Sequence, residues 1–377
     1  KIGVKSARIL APGVQRLAEG GGAHPALWRA ELLKQPRRDE VPGQHTPVHA
    51  EIRRDEHQQV ALRFGVPEST GPQPHPHTTN GKVAGLHSAL LGVLTDVLDP
   101  ATEEQLDNLI KVIRREQLNL VCISIRASAY AQQAQVLTQA IQDRLDIPVL
   151  WGGMHPTLVG EECIEHADLI LQGEGELALV DLADRLRDGV DITDTQNIWV
   201  RHSADDFTQN PLRPLVQDLD DLAYRDYTTH EHKYFINGNS YTIGDPMKGD
   251  PVFQMMGSRG CIYKCSYCYN STYKKDVYPG QKWFRVRSPA SMVEEIKEAR
   301  KHWDFKRIRF DDEVFNFQRD WLEEFCEIFP REVGMPFEIF IEPKLVNEER
   351  MTRLRDAGLV SVYMGIQASE RVTGNPV

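Results

Sequence analysis

The sequence predicts an α/β protein made of two successive units, in each of which strands alternate with helices. Two observations lead to this fold class. Between residues 86 and 200, short apolar runs alternate with segments that have one apolar helical face, and the same alternation returns between residues 252 and 377. Strands that alternate with helices form a largely parallel sheet covered by those helices. We therefore expect a doubly wound sheet in the first unit and a series of βα units in the second.

The first unit is predicted to be strand and helix in turn. Thr102 and Gln105 have the spacing of a capping box, and a helix with an apolar face follows them. Residues 120–125 and 148–151 are short apolar strands, typical of a parallel sheet buried on both faces, and an amphipathic helix separates them. Residues 169–171 form a further strand, which leads into a helix over residues 177–187.

The second unit repeats this pattern. Its strands are expected at 252–256, 307–310, 337–341 and 360–367. Ser288 and Pro289 begin a helix, because proline is favoured at the first helical position. Asn347 caps another helix, which stops at Gly358. Residues 201–251 are predicted to connect the two units, and residues 1–85, interrupted repeatedly by proline and glycine, are assigned no fold or function.

Composition restricts the class of function. The chain has 377 residues, of which 41% are hydrophobic and 26% charged, as in an ordinary globular protein. A formal net charge of −11 argues against a general nucleic-acid binder. There is neither an apolar run long enough to cross a membrane nor a signal-peptide pattern. Cys122, Cys163 and Cys326 lie in apolar contexts typical of buried thiols, so we expect a reducing, cytoplasmic compartment.

The other three cysteines lie in one loop opened by glycines. Cys261, Cys265 and Cys268 have the spacing C-x3-C-x2-C, which differs from the C-x2-C pairs of zinc ribbons and fingers. Cysteine thiolates are the usual ligands of iron–sulfur clusters, and a cubane cluster needs four ligands. Three local cysteines would leave one iron open for a non-protein ligand. The alternatives are a zinc knuckle completed by a distant His or Cys and an accidental cluster of cysteines.

Glycine and polar residues follow three predicted strands of the first unit. The carboxyl ends of parallel strands meet at one edge of a sheet, and ligands bind beyond that edge. Glycine there lets a flat ligand approach the backbone, so the pattern indicates a nucleotide-like ligand. The candidate binding residues are Ser124, Arg126, Ser128, Gly152, Gly153, His155, Pro156, Thr157, Gly173, Glu174, Gly175 and Glu176.

The cysteine loop resembles that of the radical S-adenosylmethionine enzymes, including the aromatic Tyr267 directly before the third cysteine. In that family the cysteines hold a 4Fe-4S cluster, and S-adenosylmethionine chelates the open iron before it is cleaved to a 5′-deoxyadenosyl radical. The resemblance implies the first four βα units of a partial barrel. It also implies contacts between S-adenosylmethionine and Tyr267, Asp311, Asp312, Glu313, Gln367, Ser369 and Glu370. An acidic turn or a solvated loop would also account for these polar residues.

The first unit, placed ahead of such a loop, resembles the cobalamin-binding domain of class B radical S-adenosylmethionine enzymes. The Asp-x-His-x-x-Gly signature that supplies a histidine to cobalt elsewhere is absent, since Asp55-Glu56-His57 lacks the glycine. We therefore expect cobalamin to bind base-off, without a histidine ligand, and His155 to order its loop. The family's first strand and loop should precede residue 86, where no convincing counterpart is evident.

The resemblance covers residues 86–377 and implies an enzyme with three cofactors: a 4Fe-4S cluster, S-adenosylmethionine and cobalamin. The expected activity is methyl transfer to an unactivated carbon of a small-molecule or peptide substrate, with electrons from a flavodoxin- or ferredoxin-like donor. One alternative is ring formation or rearrangement without net methyl transfer. Another is a cobalamin-binding sensor with a structural metal site. Because the last barrel strands would follow Val377, we expect the sequence to be part of a longer protein.

Overall fold

The fold was obtained as a computed structural model, which describes residues 29–31, 102–225, 227, 234–237, 240–243, 246–315 and 318–365. The architecture is α/β, as the sequence predicts, and each unit contains one large sheet. The elements of the first part are β1 (Arg29–Glu31), α1 (Glu103–Arg115), β2 (Val121–Ser124), α2 (Ala131–Gln142), β3 (Val149–Gly152), α3 (Met154–Leu158), α4 (Gly160–Ile164), β4 (Leu169–Leu171), α5 (Glu176–Asp188), β5 (Ile198–Arg201) and β6 (Phe207–Gln209).

The first sheet has the strand order β2-β3-β4-β5-β6. Strands β2, β3 and β4 are parallel, whereas β5 and β6 are antiparallel additions that the sequence reasoning missed. The sheet thus extends beyond residue 200, where we had placed the end of the unit. The short helices α3 and α4 were also not predicted, and α3 contains His155, which had been expected to lie in a loop.

Helices cover both faces of this sheet. Val121 and Ile123 point into a core shared with α1 and α2, while Cys122 points into a second core shared with α5. This alternation follows from the two-residue period of a strand, and it confirms the doubly wound arrangement. The predicted capping box of α1 is present: the Gln105 amide N–H donates to the Thr102 hydroxyl at 3.2 Å, and the Thr102 N–H donates to the Gln105 side chain at 2.9 Å.

The second part begins with a hairpin in the predicted connector and continues as the predicted βα units. Its elements are β7 (Tyr234–Asn237), β8 (Ser240–Ile243), β9 (Val252–Met255), β10 (Ser258–Arg259), α6 (Tyr269–Thr272), β11 (Arg285–Val286), α7 (Pro289–His302), β12 (Arg307–Phe310), α8 (Arg319–Glu332), β13 (Phe337–Ile341), α9 (Glu348–Asp356) and β14 (Leu359–Met364). A single π-helical turn, Tyr273–Val277, continues α6.

The second large sheet has the order β1-β14-β13-β12-β9. Strands β9, β12, β13 and β14 are parallel, and β1 pairs antiparallel with the edge strand β14. Helices α7, α8 and α9 bury an aromatic core against one face, in which Phe310 and Phe337 lie fully enclosed. Separately, β10 and β11 form a two-stranded antiparallel ribbon, here called the basal ribbon. Strand β10 directly precedes the cysteine loop, and β11 follows α6 and the π-helical turn.

Candidate active site

The cysteine loop leaves the basal ribbon at a position that only glycine fits. Gly260, directly before Cys261, has a φ of +80°, and a Cβ there would lie 2.5 Å from the Trp283 carbonyl oxygen. The loop is then held by its own backbone, since the Cys268 N–H donates to the Cys265 carbonyl at 3.0 Å. The predicted glycine-opened loop therefore has a steric basis.

Two of the three thiols receive N–H donors. The Tyr263 amide N–H donates to Cys261 Sγ at 3.5 Å, and Asn270 Nδ2 donates to Cys268 Sγ at 3.8 Å. Asn270 is buried, and its oxygen accepts from Trp283 Nε1 at 2.9 Å, which directs its NH₂ group at the sulfur. Donors aimed at sulfur stabilise thiolate charge and tune a metal centre from outside its ligand set. The sequence contained Asn270 but offered no signal for this role.

The three thiols fit the ligand set of an iron–sulfur cluster. All six cysteines of the chain are free, and Cys261, Cys265 and Cys268 are partly exposed at the loop surface. Burial raises the pKa of the Cys261 thiol, against the opposing effect of the Tyr263 N–H. Among the residues described, no three His, Cys, Asp or Glu side chains converge at the distance of a single metal ion. A cubane cluster instead binds each thiolate through a separate iron.

Asp312, at the end of β12, braces the start of the cysteine loop. Its carboxylate accepts from the Gly257 N–H at 3.2 Å and from the Ser258 hydroxyl. The side chain is buried, and desolvation raises its pKa to about 6 despite these hydrogen bonds. The neighbouring Asp311 pairs with Arg309 at 2.6 Å. The predicted contacts of both aspartates with S-adenosylmethionine stay predictions. In the structure, the Asp312 carboxylate is hydrogen-bonded to Gly257 and Ser258 at the start of the loop.

Two tyrosines tie the loop to the neighbouring strand ends. Tyr263 donates to Glu342, which follows β13, at 2.9 Å, and Tyr269 donates to Glu313, which follows β12. Burial and the adjacent Glu342 carboxylate raise the pKa of Tyr263 to about 12. Tyr267, in contrast, is 67% exposed, so its ring is open to a ligand. The loop thus contacts Glu313 and Glu342 through these tyrosines, and the expected contacts of Tyr267 and Glu313 with S-adenosylmethionine stay predictions.

The open face of the second sheet is polar, which the sequence reasoning did not anticipate. Glu338 on β13 is buried, pairs with Arg307 at 3.0 Å, and accepts from the Tyr363 hydroxyl at 2.7 Å. Polar side chains alternate here with the apolar residues that face the helices. The predicted S-adenosylmethionine contacts Gln367, Ser369 and Glu370 lie outside the described residues.

The candidate cobalamin-binding residues meet at one edge of the first sheet. Ser124 at the end of β2 is exposed, as are Arg126 and Ser128 after it, and the Ser128 hydroxyl lies 3.1 Å from His155 Nδ1. Thr157 joins the other two strand ends, since its hydroxyl donates to the Gly153 carbonyl at 2.8 Å and accepts from the Gly173 N–H at 3.0 Å. This open polar edge fits a large hydrogen-bonding ligand. The Ser128 contact supports the expected loop-ordering role of His155.

The glycines of this edge differ in whether a side chain would fit in their place. Gly153 has a φ of +97°, and a Cβ there would lie 2.9 Å from the Ile125 carbonyl oxygen. A larger residue at 153 would therefore strain the backbone at this edge and not merely obstruct a ligand. At Gly152 a Cβ would make ordinary contacts, the nearest 3.6 Å away. The open side of Gly173 is filled by the Tyr278 hydroxyl of the second unit.

The two units meet directly at this edge. Glu174 forms ion pairs with Arg259 and Arg285 of the basal ribbon, at 3.0 and 2.7 Å. A cavity of about 330 Å³ lies between the two units near this edge. It is lined by Thr157 and Gln172 of the first unit and by residues of α6 and the π-helical turn. The segments on either side of the cysteine loop, β10 and α6, therefore adjoin the strand ends of the first unit.

Comparison with known proteins assigns both units. The B12-binding domain family matches residues 83–183, and the radical SAM superfamily matches residues 255–375. The chain therefore contains the two domains that together characterise the cobalamin-binding radical S-adenosylmethionine enzymes. These two domains are the ones that hold cobalamin, a 4Fe-4S cluster and S-adenosylmethionine, so the three expected cofactors are confirmed at the level of the family.

Curated relatives include the anaerobic magnesium-protoporphyrin IX monomethyl ester cyclase of Rubrivivax gelatinosus, 26% identical over 67% of this chain and 44% of the relative. An uncharacterized methyltransferase of Pyrococcus horikoshii is 23% identical over 73% of this chain and 58% of the relative. The chain thus spans about half the length of these relatives. Among solved structures, the radical S-adenosylmethionine methyltransferase TsrM of Kitasatospora setae matches with a TM-score of 0.48 and 16% identity over 70% of this chain and 56% of TsrM. Within the described ranges, no helix is long and apolar enough to span a membrane.

Proposed function

We propose that the protein is a cobalamin-dependent radical S-adenosylmethionine enzyme that transfers a methyl group to an unactivated carbon. The observation that carries this proposal is the direct contact between the two domains: Glu174, at a strand end of the B12-binding domain, pairs with Arg259, two residues before Cys261. A reaction that uses both domains needs their cofactors close together around one substrate.

The chain's own residues serve to hold and orient the cofactors. When bound, the cofactors supply a 5′-deoxyadenosyl radical at the cluster and a methyl group at cobalt. Cys261, Cys265 and Cys268 would hold the cluster, with the N–H donors from Tyr263 and Asn270 stabilising the charge on sulfur. The exposed residues at the strand ends of the first sheet would hold cobalamin. No side chain is assigned a role as acid, base or nucleophile.

The combination of cofactors favours methyl transfer. An enzyme that only abstracts hydrogen does not need cobalt, and a methyltransferase that attacks a nucleophile does not need a carbon radical. Both together suit a substrate carbon too inert for polar methylation. Curated methyltransferase relatives support this reading; one is the hopanoid C-3 methylase of Methylococcus capsulatus, 24% identical over 66% of this chain.

Ring formation without net methyl transfer is the second candidate function. The observation that favours it is the similarity to two anaerobic magnesium-protoporphyrin IX monomethyl ester cyclases, each 26% identical. The two functions differ in their use of S-adenosylmethionine, because only methyl transfer converts it to S-adenosylhomocysteine. The sensor alternative receives no comparable support.

The test is product analysis of the full-length protein after anaerobic reconstitution with iron, sulfide and cobalamin, with a chemical reductant. Methyl transfer predicts both 5′-deoxyadenosine and S-adenosylhomocysteine, and S-adenosylhomocysteine should disappear when cobalamin is omitted. Cys265→Ala should abolish 5′-deoxyadenosine while cobalamin still binds. 5′-Deoxyadenosine without any cobalamin-dependent S-adenosylhomocysteine would contradict methyl transfer and support the cyclase-like function.

The proposal extends to partners and compartment. Radical cleavage consumes electrons, so a flavodoxin- or ferredoxin-like donor is expected to serve the cluster. The substrate would be a small molecule or a peptide rather than nucleic acid, in keeping with the net charge of −11. Six free cysteines suit a reducing compartment such as the cytoplasm.

A further inference from the structure

We propose that Glu174 is a positioning residue that fixes the cluster loop against the B12-binding domain, rather than a contact to cobalamin. That this positioning serves the reaction of the two cofactors rests on the proposed function, whereas the contacts themselves do not. Its structural part concerns three side chains from two domains: Glu174, Arg259 and Arg285.

The basal ribbon places two positively charged side chains opposite each other and does not neutralise them by itself. Arg259 on β10 and Arg285 on β11 are direct cross-strand partners. Like charges placed directly opposite each other destabilise an antiparallel pair. The Arg285 side chain is completely buried, so water cannot compensate its charge. The ribbon that carries the cluster loop therefore requires an anion.

Glu174 supplies this anion from the other domain. Arg285 grips its carboxylate with two nitrogens, Nη2 to Oε1 at 2.7 Å and Nη1 to Oε2 at 3.0 Å. Arg259 Nη1 donates to the same Oε1 at 3.0 Å. A bidentate guanidinium–carboxylate pair is strong and also fixes orientation. Burial raises the pKa of Glu174, but the two arginines outweigh it and lower the pKa, so the carboxylate is held ionised.

The second domain, which carries both arginines, also fixes the backbone around Glu174. The Glu174 N–H donates to the Tyr278 hydroxyl at 3.1 Å, and this hydroxyl fills the open side of Gly173. Arg285 also donates to the Val216 carbonyl at 2.7 Å, which brings the connector into the same cluster. The loop after β4 is thus enclosed by the second domain at both its backbone and its carboxylate.

Glu176 provides a matched comparison two residues further on. It contacts only Arg259 in this cluster, at 2.5 Å, and its side chain is 41% exposed, compared with 18% for Glu174. An exposed pair contributes little, because water and salt screen it, whereas breaking a buried pair leaves an uncompensated charge. The effect of charge removal should therefore be large at Glu174 and small at Glu176.

The experiment is hydrogen exchange measured by mass spectrometry on the cofactor-free protein under anaerobic conditions. Glu174→Gln should accelerate exchange in the basal ribbon, on the other domain, by about ten-fold or more, whereas Glu176→Gln should change it by less than about two-fold. Glu174→Asp, which keeps the charge, should restore part of the protection. In Glu174→Gln/Arg285→Met the unpaired buried charge is gone, so protection should exceed that of Glu174→Gln alone.

Four results would overturn the proposal. Faster exchange confined to the loop after β4 would show a local role, and equal effects of the two glutamine variants would show that burial of the pair is irrelevant. Weaker cobalamin binding in Glu174→Gln with unchanged ribbon exchange would show a direct cobalamin contact. If Glu174→Gln fails to fold, folding of the double variant supports the proposal and its failure to fold contradicts it. Because no cofactor is needed for the exchange measurement, its outcome is separate from that of the methyl-transfer test.

Discussion

The buried Asp312 should make the stability of the radical SAM domain depend on pH in a predictable way. We consider Asp312→Asn, which keeps the shape and removes the charge. The amide oxygen can still accept from the Gly257 N–H, and the NH₂ group can donate to the Ser258 hydroxyl oxygen. The substitution therefore isolates the effect of charge burial.

The magnitude follows from the raised pKa. In the folded protein the pKa of Asp312 is about 6, compared with 3.8 for an ordinary aspartate. Between these values the folded state holds a proton that the unfolded state has lost, so the free energy of unfolding falls as pH rises through this window and is level above it. This difference in pKa corresponds to about 3 kcal/mol. Asp312→Asn has no such group and should lack this part of the pH dependence.

The assay is urea unfolding of cofactor-free wild type and variant at a series of pH values between about 4 and 7. The stability of Asp312→Asn relative to wild type should increase by up to about 3 kcal/mol across this range. Asp311→Asn is the matched control, because Asp311 is more exposed and lies next to Asp312 in the chain. A difference that stays constant with pH, or that is equally large for Asp311→Asn, would refute the reasoning.

Three further predictions concern the two cofactor regions. Cys265→Ala should abolish the roughly four irons of anaerobically reconstituted protein, whereas Cys326→Ala should retain them, as iron and sulfide analysis will show. Gly153→Ala should destabilise the B12-binding domain by about 2 kcal/mol or more in urea unfolding, because its φ of +97° and a carbonyl 2.9 Å away disfavour any Cβ, whereas Gly152→Ala should leave the domain folded. Asn270→Asp should shift the midpoint potential of the cluster to more negative values in an EPR-monitored titration, because a carboxylate replaces the N–H donor to sulfur; an unchanged potential would contradict the assigned contact.

The sequence by itself determined the order of the domains and the metal-binding chemistry, because these depend on local patterns. The capping box at Thr102, the two-residue alternation in the strands and the cysteine spacing each involve residues a few positions apart. Such short-range features can be recognised without knowledge of the fold. The antiparallel strands β5 and β6 were missed although they are as long as the predicted strands β3 and β4. Strand β6 is largely exposed and has no apolar run, and β5 lies at the boundary with the predicted connector.

The tertiary structure alone decided what the polar residues at the strand ends contact. Glu174 and Arg285 are 111 positions apart, and Asp312 lies 55 positions from Gly257. In the sequence, both acidic residues looked like ligand contacts, since a carboxylate after a strand has the same appearance whether it faces a cofactor or a buried guanidinium. Which partner it has depends on how the two sheets pack, and packing brings together residues that no local pattern connects.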